Sequence, residues 1–523
     1  MPTPSSTEPA QNSAEHAGTV PSAGLAMSAL IMAVLLAALD QTIVSTALPA
    51  IASDVGGFAY IAWVSASYLL ATTASTPLWG KLGDMFGRRR LYLVAMAVFL
   101  VASGLCGLAQ DMIQLVAARS LQGLGGGGML VLTFALVGDV AGPEDRSRYQ
   151  GMFGGVYGVA SILGPVLGGV FTDQLSWRWA FLINLPIGLV GLLLASRNLP
   201  AGAKRRTGPI DYLGATILAA LSVCLVLIVS FGDQWGWISP RTIALAAAAV
   251  VLLLVLLPAE RRAPEPVLPL PMLTTTTVSI AALVGFIANF AMFCVLVYLP
   301  TYLQVVHGVS ATLSGVHMLP LVLGLVISQA LAGRWTGRTG KWQLCLVAGM
   351  ALNIVGLLLL ATLSAQTSAW VLGLYFAVVG IGIGMVPMVI MAAVQNAVDP
   401  ADLGAASAMV TYSRSMGAAF GVAAFGAAFN HAFNPRLTTA LNHSALPAEF
   451  DPTKTDTIAS LSPAVKIPLL EAFSDTVAST FLATVPLLVL GFVLTLFLAT
   501  RRSAAPRRAE VKRNRARPYS LKG

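Results

Sequence analysis

The stretch that decides the fold is Leu39-Asp40-Gln41-Thr42-Ile43-Val44-Ser45-Thr46-Ala47-Leu48-Pro49, which closes an apolar run that begins near residue 25. A helix of about 20 apolar residues crosses a bilayer, so this run is long enough to span a membrane. Asp40 lies inside it. A carboxylate within a membrane-spanning helix is energetically costly and usually functional. Asp40 is therefore the first candidate for a functional group.

The composition indicates that the rest of the chain is built in the same way. Of its 523 residues, 56% are hydrophobic and 10% are charged, whereas about 25% of residues are charged in soluble domains. Apolar runs lie at about 25–48, 60–79, 91–109, 112–139, 150–172, 179–196, 211–231, 241–258, 276–302, 315–333, 342–362, 370–396, 404–430 and 476–499. Because lipid offers the backbone no hydrogen-bond partner, all fourteen runs are predicted to be helices. The sequence thus predicts an all-α polytopic membrane protein with 14 transmembrane helices.

Weak internal symmetry divides the chain into two halves. A loop with glycines and arginines follows the second run at 80–90, and a similar loop follows the tenth at 333–341. Two repeated halves around a central site are a known plan of transporters. The predicted units are a disordered cytoplasmic tail at 1–23, an N-terminal six-helix bundle at 24–197, inserted spans seven and eight at 198–275, a C-terminal six-helix bundle at 276–499 with an outer loop at 431–475, and a basic cytoplasmic tail at 500–523.

The lysines and arginines set the predicted orientation. They concentrate in the loops and the tail that share a side with the N-terminus, and cytoplasmic loops of membrane proteins carry this excess. Both termini are therefore predicted to be cytoplasmic, in a multi-pass protein of a bacterial cytoplasmic membrane. Topology and anionic lipid account for the net charge of +9. We expect membrane lipid as a partner and no nucleic acid.

The sequence carries no constellation typical of an enzyme. Its four cysteines, Cys106, Cys224, Cys294 and Cys345, stand singly in apolar runs without metal-ligand or redox spacing. A G-x-x-x-x-G-K-[ST] phosphate loop is absent from the sequence, so ATP is not expected to drive the protein directly. We expect no enzymatic activity, no metal, no cofactor and a monomeric protein.

The loop after the second run reads Gly80-Lys81-Leu82-Gly83-Asp84-Met85-Phe86-Gly87-Arg88-Arg89-Arg90. Its glycines permit a tight turn between two helices. Asp84 can bind a helix N-terminus or an arginine, and the arginines fix the topology. The loop is therefore predicted to organise one side of the bundle.

A basic residue, Arg119, lies within the fourth run and is followed by Gln122 and a series of glycines at 123 and 125–128. An arginine does not lose its proton in a protein, so a buried Arg119 needs an anion, and Asp40 is the evident intramembrane partner. We hypothesise that Arg119 weakens proton binding at Asp40 in one conformation and moves away in another. The glycines permit close approach of a neighbouring helix.

The fifth run contains Ala160, then Gly164-Pro165 and Gly168-Gly169. Pro165 bends its helix, and the small residues allow tight packing. The block Trp177-Arg178-Trp179-Ala180-Phe181, with Asn184 and Pro186-Ile187-Gly188, follows it.

Together these blocks resemble the major facilitator superfamily, and specifically its fourteen-span drug:proton antiporters of the multidrug efflux type. The resemblance covers nearly the whole chain except the tails and the 431–475 segment. It implies two six-helix bundles plus two inserted spans. The roles it implies are proton coupling by Asp40 and Arg119, a conformational latch of Gly80, Asp84, Gly87, Arg88 and Arg89, an antiporter motif of Gly164, Pro165, Gly168 and Gly169, and a substrate cavity with Gln122, Asn289, Phe293, Gln395 and Arg414 as candidates.

The resemblance implies export of small amphipathic or lipophilic compounds, driven by the proton motive force and linked to antibiotic resistance. The acidic residues that the family often carries in spans ten and thirteen are missing here, which favours monovalent, zwitterionic or neutral substrates. Dedicated export of an endogenous metabolite or lipid is the alternative function. A non-transporting sensor on the same fold is a further alternative, against which Asp40 and Arg119 argue.

Overall fold

The computed structural model describes residues 23–57, 60–140, 146–200, 211–263, 266, 270–339, 341–395, 397–398, 403–441 and 463–503. In the first half the described helices are α1 (Ala23–Val55), α2 (Ile61–Phe86), α3 (Arg88–Leu108), α4 (Met112–Val140), α5 (Arg146–Gln174), α6 (Trp179–Leu182) and α7 (Asn184–Asn198). The middle of the chain forms α8 (Tyr212–Trp235), α9 (Pro240–Arg262) and α10 (Leu270–Thr274). The second half forms α11 (Thr276–Val306), α12 (Ala311–His317), α13 (Leu319–Thr339), α14 (Trp342–Leu360), α15 (Ala369–Gln395), α16 (Leu403–Leu441) and α17 (Pro463–Ser503).

The described helices confirm the all-α polytopic fold class. Within the described residues, twelve helical segments are long and apolar enough to cross a membrane. Helices α2 and α5, of 26 and 29 residues, are also long enough, because an α-helix rises about 1.5 Å per residue. Helix α2 packs against α4, and α5 packs against α1. The described structure is therefore compatible with the predicted count of fourteen transmembrane helices.

Two of the predicted single spans are each broken into two helices. The sixth is divided between α6 and α7 next to Asn184, and the tenth between α12 and α13 next to Met318. Pro186 and Pro320 stand in the first turn of α7 and α13, where the missing N–H of a proline costs nothing. The first break places Asn184, which is 1% exposed, at the start of α7 inside the first half.

The predicted outer loop at 431–475 is shorter than expected. Helix α16 continues to Leu441 and α17 begins at Pro463, so both ends of the predicted loop are helical. Aromatic residues explain both extensions. Phe433 on α16 packs against Phe473 on α17 with ring centroids 5.5 Å apart, and both side chains are buried. Residues 442–462 lie outside the described part of the chain.

The predicted inserted pair, α8 and α9, lies along the line where the two halves meet. Helix α8 packs against α2 of the first half and α16 of the second, while α9 packs mainly against α8. Phe231 on α8 stacks on Trp63 of α2 at 5.1 Å between centroids. The hydroxyls of Ser222 on α8 and Tyr412 on α16 are 2.6 Å apart. The pair therefore bridges the halves without entering the region between α1, α5, α11 and α12.

Candidate functional site

The centre of the first half is a buried ion pair between Asp40 on α1 and Arg119 on α4. Arg119 Nη1 donates a hydrogen bond to Asp40 Oδ2 at 2.7 Å, and the two side chains are 2% and 0% exposed. Arg119 Nε donates to the carbonyl oxygen of Val64 at 3.0 Å. Its guanidinium lies 4.3 Å from the centroid of the Tyr68 ring, within cation–π range. Helices α1, α2 and α4 thus hold the pair together.

Three neutral residues complete the surroundings of the carboxylate. Gln122 Nε2 and Asn184 Nδ2 donate to Asp40 Oδ1 at 2.8 and 2.9 Å. Both amides also donate to Ser103 Oγ, each at 3.0 Å. The Ser103 hydroxyl in turn donates a hydrogen bond to the Phe181 carbonyl oxygen at 2.9 Å. A buried charge is tolerated only when it is paired and hydrogen-bonded. Here Asp40 has both kinds of partner.

Asn184 and Ser103 were not among the candidate site residues. Asn184 appears in the sequence only as part of the block after Trp177, and its position next to Pro186 is the signal for a helix break that could have drawn attention to it. Ser103 carried no signal, because serines in membrane helices commonly bond to their own backbone. Together with Gln122, they make a network that belongs entirely to the first half.

A cavity of about 50 Å³ lies between the two halves, next to this network. The first half contributes the polar part of the wall, and the second half contributes an apolar part. The lining residues are Gln41, Thr42, Ser45, Ser65, Tyr68, Leu69, Arg119 and Pro165 from the first half, and Met292, Phe293, Leu296, Val297, Pro300, Met318, Leu321, Val322 and Leu325 from the second. Arg119 therefore connects the buried ion pair to the cavity wall.

The five candidate residues for the substrate cavity do not all lie at the cavity described above. Phe293 lines the cavity. Gln122 does not; it is fully buried beside Asp40. Asn289 is also buried and is not among the lining residues; its amide donates to the carbonyl oxygen of Gly285 on its own helix at 3.1 Å. The side chain of Arg414 passes close to Gly285 and is not among the lining residues. The Gln395 side chain lies outside the described part of the structure.

The predicted antiporter motif on α5 packs against both halves. A Cβ atom at Gly164 would collide with Thr42 Oγ1, and one at Gly168 would collide with Thr46 Oγ1, so both glycines are needed for contact with α1. On the other side, a Cβ atom at Gly169 would collide with the backbone at Thr312. The motif therefore lets α5 lie against α1 beside Asp40 and, at the same time, against α12 of the second half.

Two polar contacts join the halves at the side where α5 ends and α12 begins, which we call the far side. The Asp173 carboxylate accepts hydrogen bonds from the backbone N–H groups of Ala311 and Thr312 at 3.1 and 2.9 Å. Gln304 Nε2 donates to the carbonyl oxygen of Thr46 at 3.0 Å. These bonds cross between α5 and α12 and between α11 and α1. The far side is therefore closed in this conformation.

The predicted latch lies at the junction of α2 and α3. Gly87 links the two helices with a φ of +95°, a conformation that favours glycine. Arg88 Nη1 donates to the Ala135 carbonyl on α4 at 3.1 Å, and Arg89 Nη2 donates to the Ser196 carbonyl on α7. The side chain of Asp84 lies outside the described part. The observed bonds thus anchor α3 within the first half, and a latch between the halves remains a prediction.

Comparison with known proteins identifies the relatives of this fold and site. The family model for the Major Facilitator Superfamily matches residues 30–212 and 202–422. An uncharacterized MFS-type transporter of Mycobacterium tuberculosis is 39% identical over 90% of this chain and 69% of the relative. The multidrug transporter protein MdtP of Bacillus subtilis is 35% identical over 80% of this chain and 77% of the relative.

A solved structure agrees with the sequence relatives. A bacterial homolog of the human lysosomal transporter Spinster has a TM-score of 0.66 at 17% identity, and the match covers 92% of this chain and 98% of that protein. At this level of identity, the likeness concerns the fold alone.

Proposed function

Because this chain belongs to the Major Facilitator Superfamily, and is thus a transporter and not an enzyme, we propose that it exports small amphipathic or lipophilic compounds in exchange for protons. The sequence relatives support export, since one of them is named a multidrug transporter. We place the protein in a bacterial cytoplasmic membrane as a monomer, with both termini in the cytoplasm.

The observation that carries this proposal is the position of the Asp40–Arg119 pair. Both side chains of the pair are buried, and Arg119 also lines the cavity between the halves. Intramembrane ionisable residues commonly mark proton relays and substrate pathways. A carboxylate that binds a proton in one conformation and releases it in another can couple proton movement to a cavity beside it.

The proposed cycle begins from the conformation with a closed far side. Substrate enters the cavity from the cytoplasm or the inner leaflet while Asp40 is ionised and paired with Arg119. The far-side bonds of Asp173 and Gln304 then break, the site opens outward, and outside protons bind Asp40 and displace the substrate. The protonated carrier returns and loses its proton to the cytoplasm.

The membrane potential supplies enough free energy for efflux without ATP. A membrane potential of 100 mV contributes about 2.3 kcal/mol for each charge moved. Since about 1.4 kcal/mol corresponds to a factor of ten, one proton exchanged for one neutral molecule supports a gradient of about 40-fold per 100 mV.

The glycines and charged residues at the junction of α2 and α3 also belong to this proposal. We assign Gly80, Asp84, Gly87, Arg88 and Arg89 to a latch that holds the halves together on the cytoplasmic side when the far side is open. The bonds of Arg88 and Arg89 to carbonyls of α4 and α7 support a rigid base for such a latch.

The test is substrate-driven proton release in inverted membrane vesicles, followed with a pH-sensitive dye. The protein is compared with its Asp40→Asn variant and with Asp111→Asn, a control that removes an exposed carboxylate beyond the buried network. We expect release with the intact protein and with the control, and none with Asp40→Asn. Release that persists in Asp40→Asn would place coupling elsewhere. If none of the three proteins releases protons when lipophilic drugs are added, dedicated export of a metabolite or lipid would be favoured.

A further inference from the structure

The corner between α11 and α12 lies between the two polar contacts of the far side. Gln304, in the last turn of α11, bonds to α1, and the backbone N–H groups at 311–312 in α12 bond to Asp173 of α5. His307 ends α11 between these contacts, and Gly308 follows it with a φ of +62°, a conformation that favours glycine. The chain therefore turns directly after His307, and a displacement of this histidine moves both contacts.

The imidazole of His307 is packed into this corner. Its ring lies against that of Tyr302, with centroids 5.4 Å apart, and the Tyr302 hydroxyl already donates to the carbonyl oxygen of Ser364 at 2.9 Å. His307 Nε2 is covered from solvent and has no hydrogen-bond partner among the described residues. Burial, and to a smaller extent the neighbouring His317, lowers the pKa of His307 below its usual range. The closed conformation therefore favours the neutral form of this histidine.

We propose that His307 senses the pH of the outside medium and that its protonation opens the far side. The inference rests on the proposed proton exchange and adds to it a second proton site, which regulates opening and is separate from Asp40. His307 lies beyond the segment Thr276–Val306 that is long and apolar enough to cross the membrane. With both termini in the cytoplasm, this is the outer end of α11, where outside protons arrive without passing the cavity.

The argument starts from the hydrogen-bonding groups of the ring. Protonation places an N–H group on both ring nitrogens. In the closed corner, the Nε2–H group of a charged His307 would be buried without an acceptor among the described residues, and burying a charged group without a partner is unfavourable. When the contacts of Gln304 and Asp173 separate, the corner opens to water and the charged ring is hydrated. Protonated His307 therefore favours the open far side.

The direction of the pH effect follows from linkage. The closed conformation binds this proton more weakly, so protonation of His307 shifts the equilibrium towards the open conformation. Above the usual histidine pKa of about 6.5, the ring is neutral in both conformations and pH has no effect through it. Opening is favoured as the pH falls below that value. Because the outside is the acidic side when a proton gradient drives transport, the far side opens most readily when protons are available for Asp40.

Other titratable groups surround this corner. Carboxylates ordinarily titrate near pH 4, and lysine, arginine and tyrosine at about pH 10 or above. Of these groups, only the histidines change charge between pH 5.5 and 7.5. The groups on the far-side ends of the helices packed against α11 and α12 are Asp54 of α1, which is paired with Arg178, Asp173 of α5, His317 of α12, Tyr375 of α15, His431 and Arg436 of α16, and Lys466, Glu471 and Asp475 of α17.

The experiment measures the distance across the far side as a function of pH. Spin labels are attached at Leu175→Cys, after α5, and Leu313→Cys, on α12, two exposed positions in different halves. Cys224, the native cysteine that is not fully buried, is replaced by serine. Double electron–electron resonance then gives the ratio of long to short distances in the purified full chain in lipid nanodiscs between pH 5.5 and 8.

This ratio is compared in the otherwise unmodified chain, in His307→Gln and in His431→Gln, each with Asp40 intact and with Asp40→Asn. As the pH falls from 7.5 to 5.5, we expect the ratio to rise several-fold, with a ceiling of about tenfold per pH unit for one proton. With Asp40→Asn, where Asp40 no longer titrates, His307→Gln should abolish the rise. With Asp40 intact, it should reduce the rise. His431→Gln, which removes an exposed histidine on the same side, should leave it unchanged.

A full rise in a folded His307→Gln protein would overturn the inference, as would a fall of the ratio in acid or the lack of any rise in Asp40→Asn with His307 intact. Thermal unfolding verifies the fold of each variant. If Asp40→Asn does not fold, the comparison with Asp40 intact decides. Substrate-driven proton release in inverted vesicles is measured separately. Its presence without an effect of His307→Gln on the ratio overturns this inference alone, whereas its absence in the unmodified chain counts against the proposed exchange.

Discussion

Replacing Asn184 with alanine tests whether the neutral residues around Asp40 set the pH range of transport. The substitution removes the Nδ2–H hydrogen bond to Asp40 Oδ1 at 2.9 Å, while the bonds from Arg119 and Gln122 remain. A hydrogen bond to a charged group contributes about 1.5–3 kcal/mol. This bond stabilises the ionised carboxylate more than the protonated one, so its loss favours proton binding.

The expected magnitude follows from these values. A difference of 1.36 kcal/mol between two protonation states corresponds to one pH unit. The pH midpoint of substrate-driven proton release should therefore rise by about one to two units in Asn184→Ala. Asn184→Ala should still transport at high pH, because Asp40 and Arg119 are unchanged.

The assay is the dye-reported proton release in inverted vesicles, repeated between pH 5.5 and 9. Asn198→Ala is the matched control, since Asn198 lies on the same helix and donates to the Leu194 carbonyl, far along the chain from the network. Thermal unfolding in detergent verifies that both variants are folded. An unchanged midpoint in a folded and active Asn184→Ala would refute the idea that this amide tunes proton binding at Asp40.

Two further predictions concern contacts of α5. Gly164→Val should push α5 away from Thr42 and abolish substrate-driven proton release, with a loss of stability of about 1–3 kcal/mol from overpacking. Gly24→Ala, where an added Cβ meets no atom within 4 Å, is the control and should change neither proton release nor thermal unfolding. Linking Asp173→Cys to Thr312→Cys with a short, reducible thiol reagent should hold the far side closed and stop transport until the link is reduced. Full transport in the linked protein would mean that these contacts do not open during the cycle.

The ion pair could be predicted from the sequence for a simple physical reason. Asp40 and Arg119 stand in apolar runs, and a buried charge without a partner is too costly to persist. The all-α membrane fold could be predicted for a similar reason, since lipid leaves the backbone few alternatives. Charges and hydropathy thus carry strong constraints that one sequence reveals by itself.

The neutral partners of Asp40 could not be predicted in the same way. Ser103 and Asn184 come from α3 and from the break before α7, and neither residue type requires a partner in another helix. Asn289 shows a related limit of the sequence. Its polar side chain in a predicted span made it a candidate for the cavity; in this conformation it donates to the carbonyl of Gly285 one turn earlier, a contact that the sequence does not reveal. Which face of an apolar helix points inward depends on packing, since every face is apolar and the sequence pattern does not distinguish them.

The division of the cavity wall has a consequence for how specificity can change. In the proposed exchange, proton binding depends on Asp40, Arg119 and their neighbours, all of which lie in the first half. The opposite wall, with Phe293 and Leu321, is apolar and contacts no member of that network in the described bonds. Changes in the size and shape of the second-half wall can therefore alter which lipophilic bodies fit, while the residues of the proposed proton coupling in the first half stay unchanged. If the proposed exchange is correct, substitutions in the second half can change the exported compounds without changing the coupling to protons.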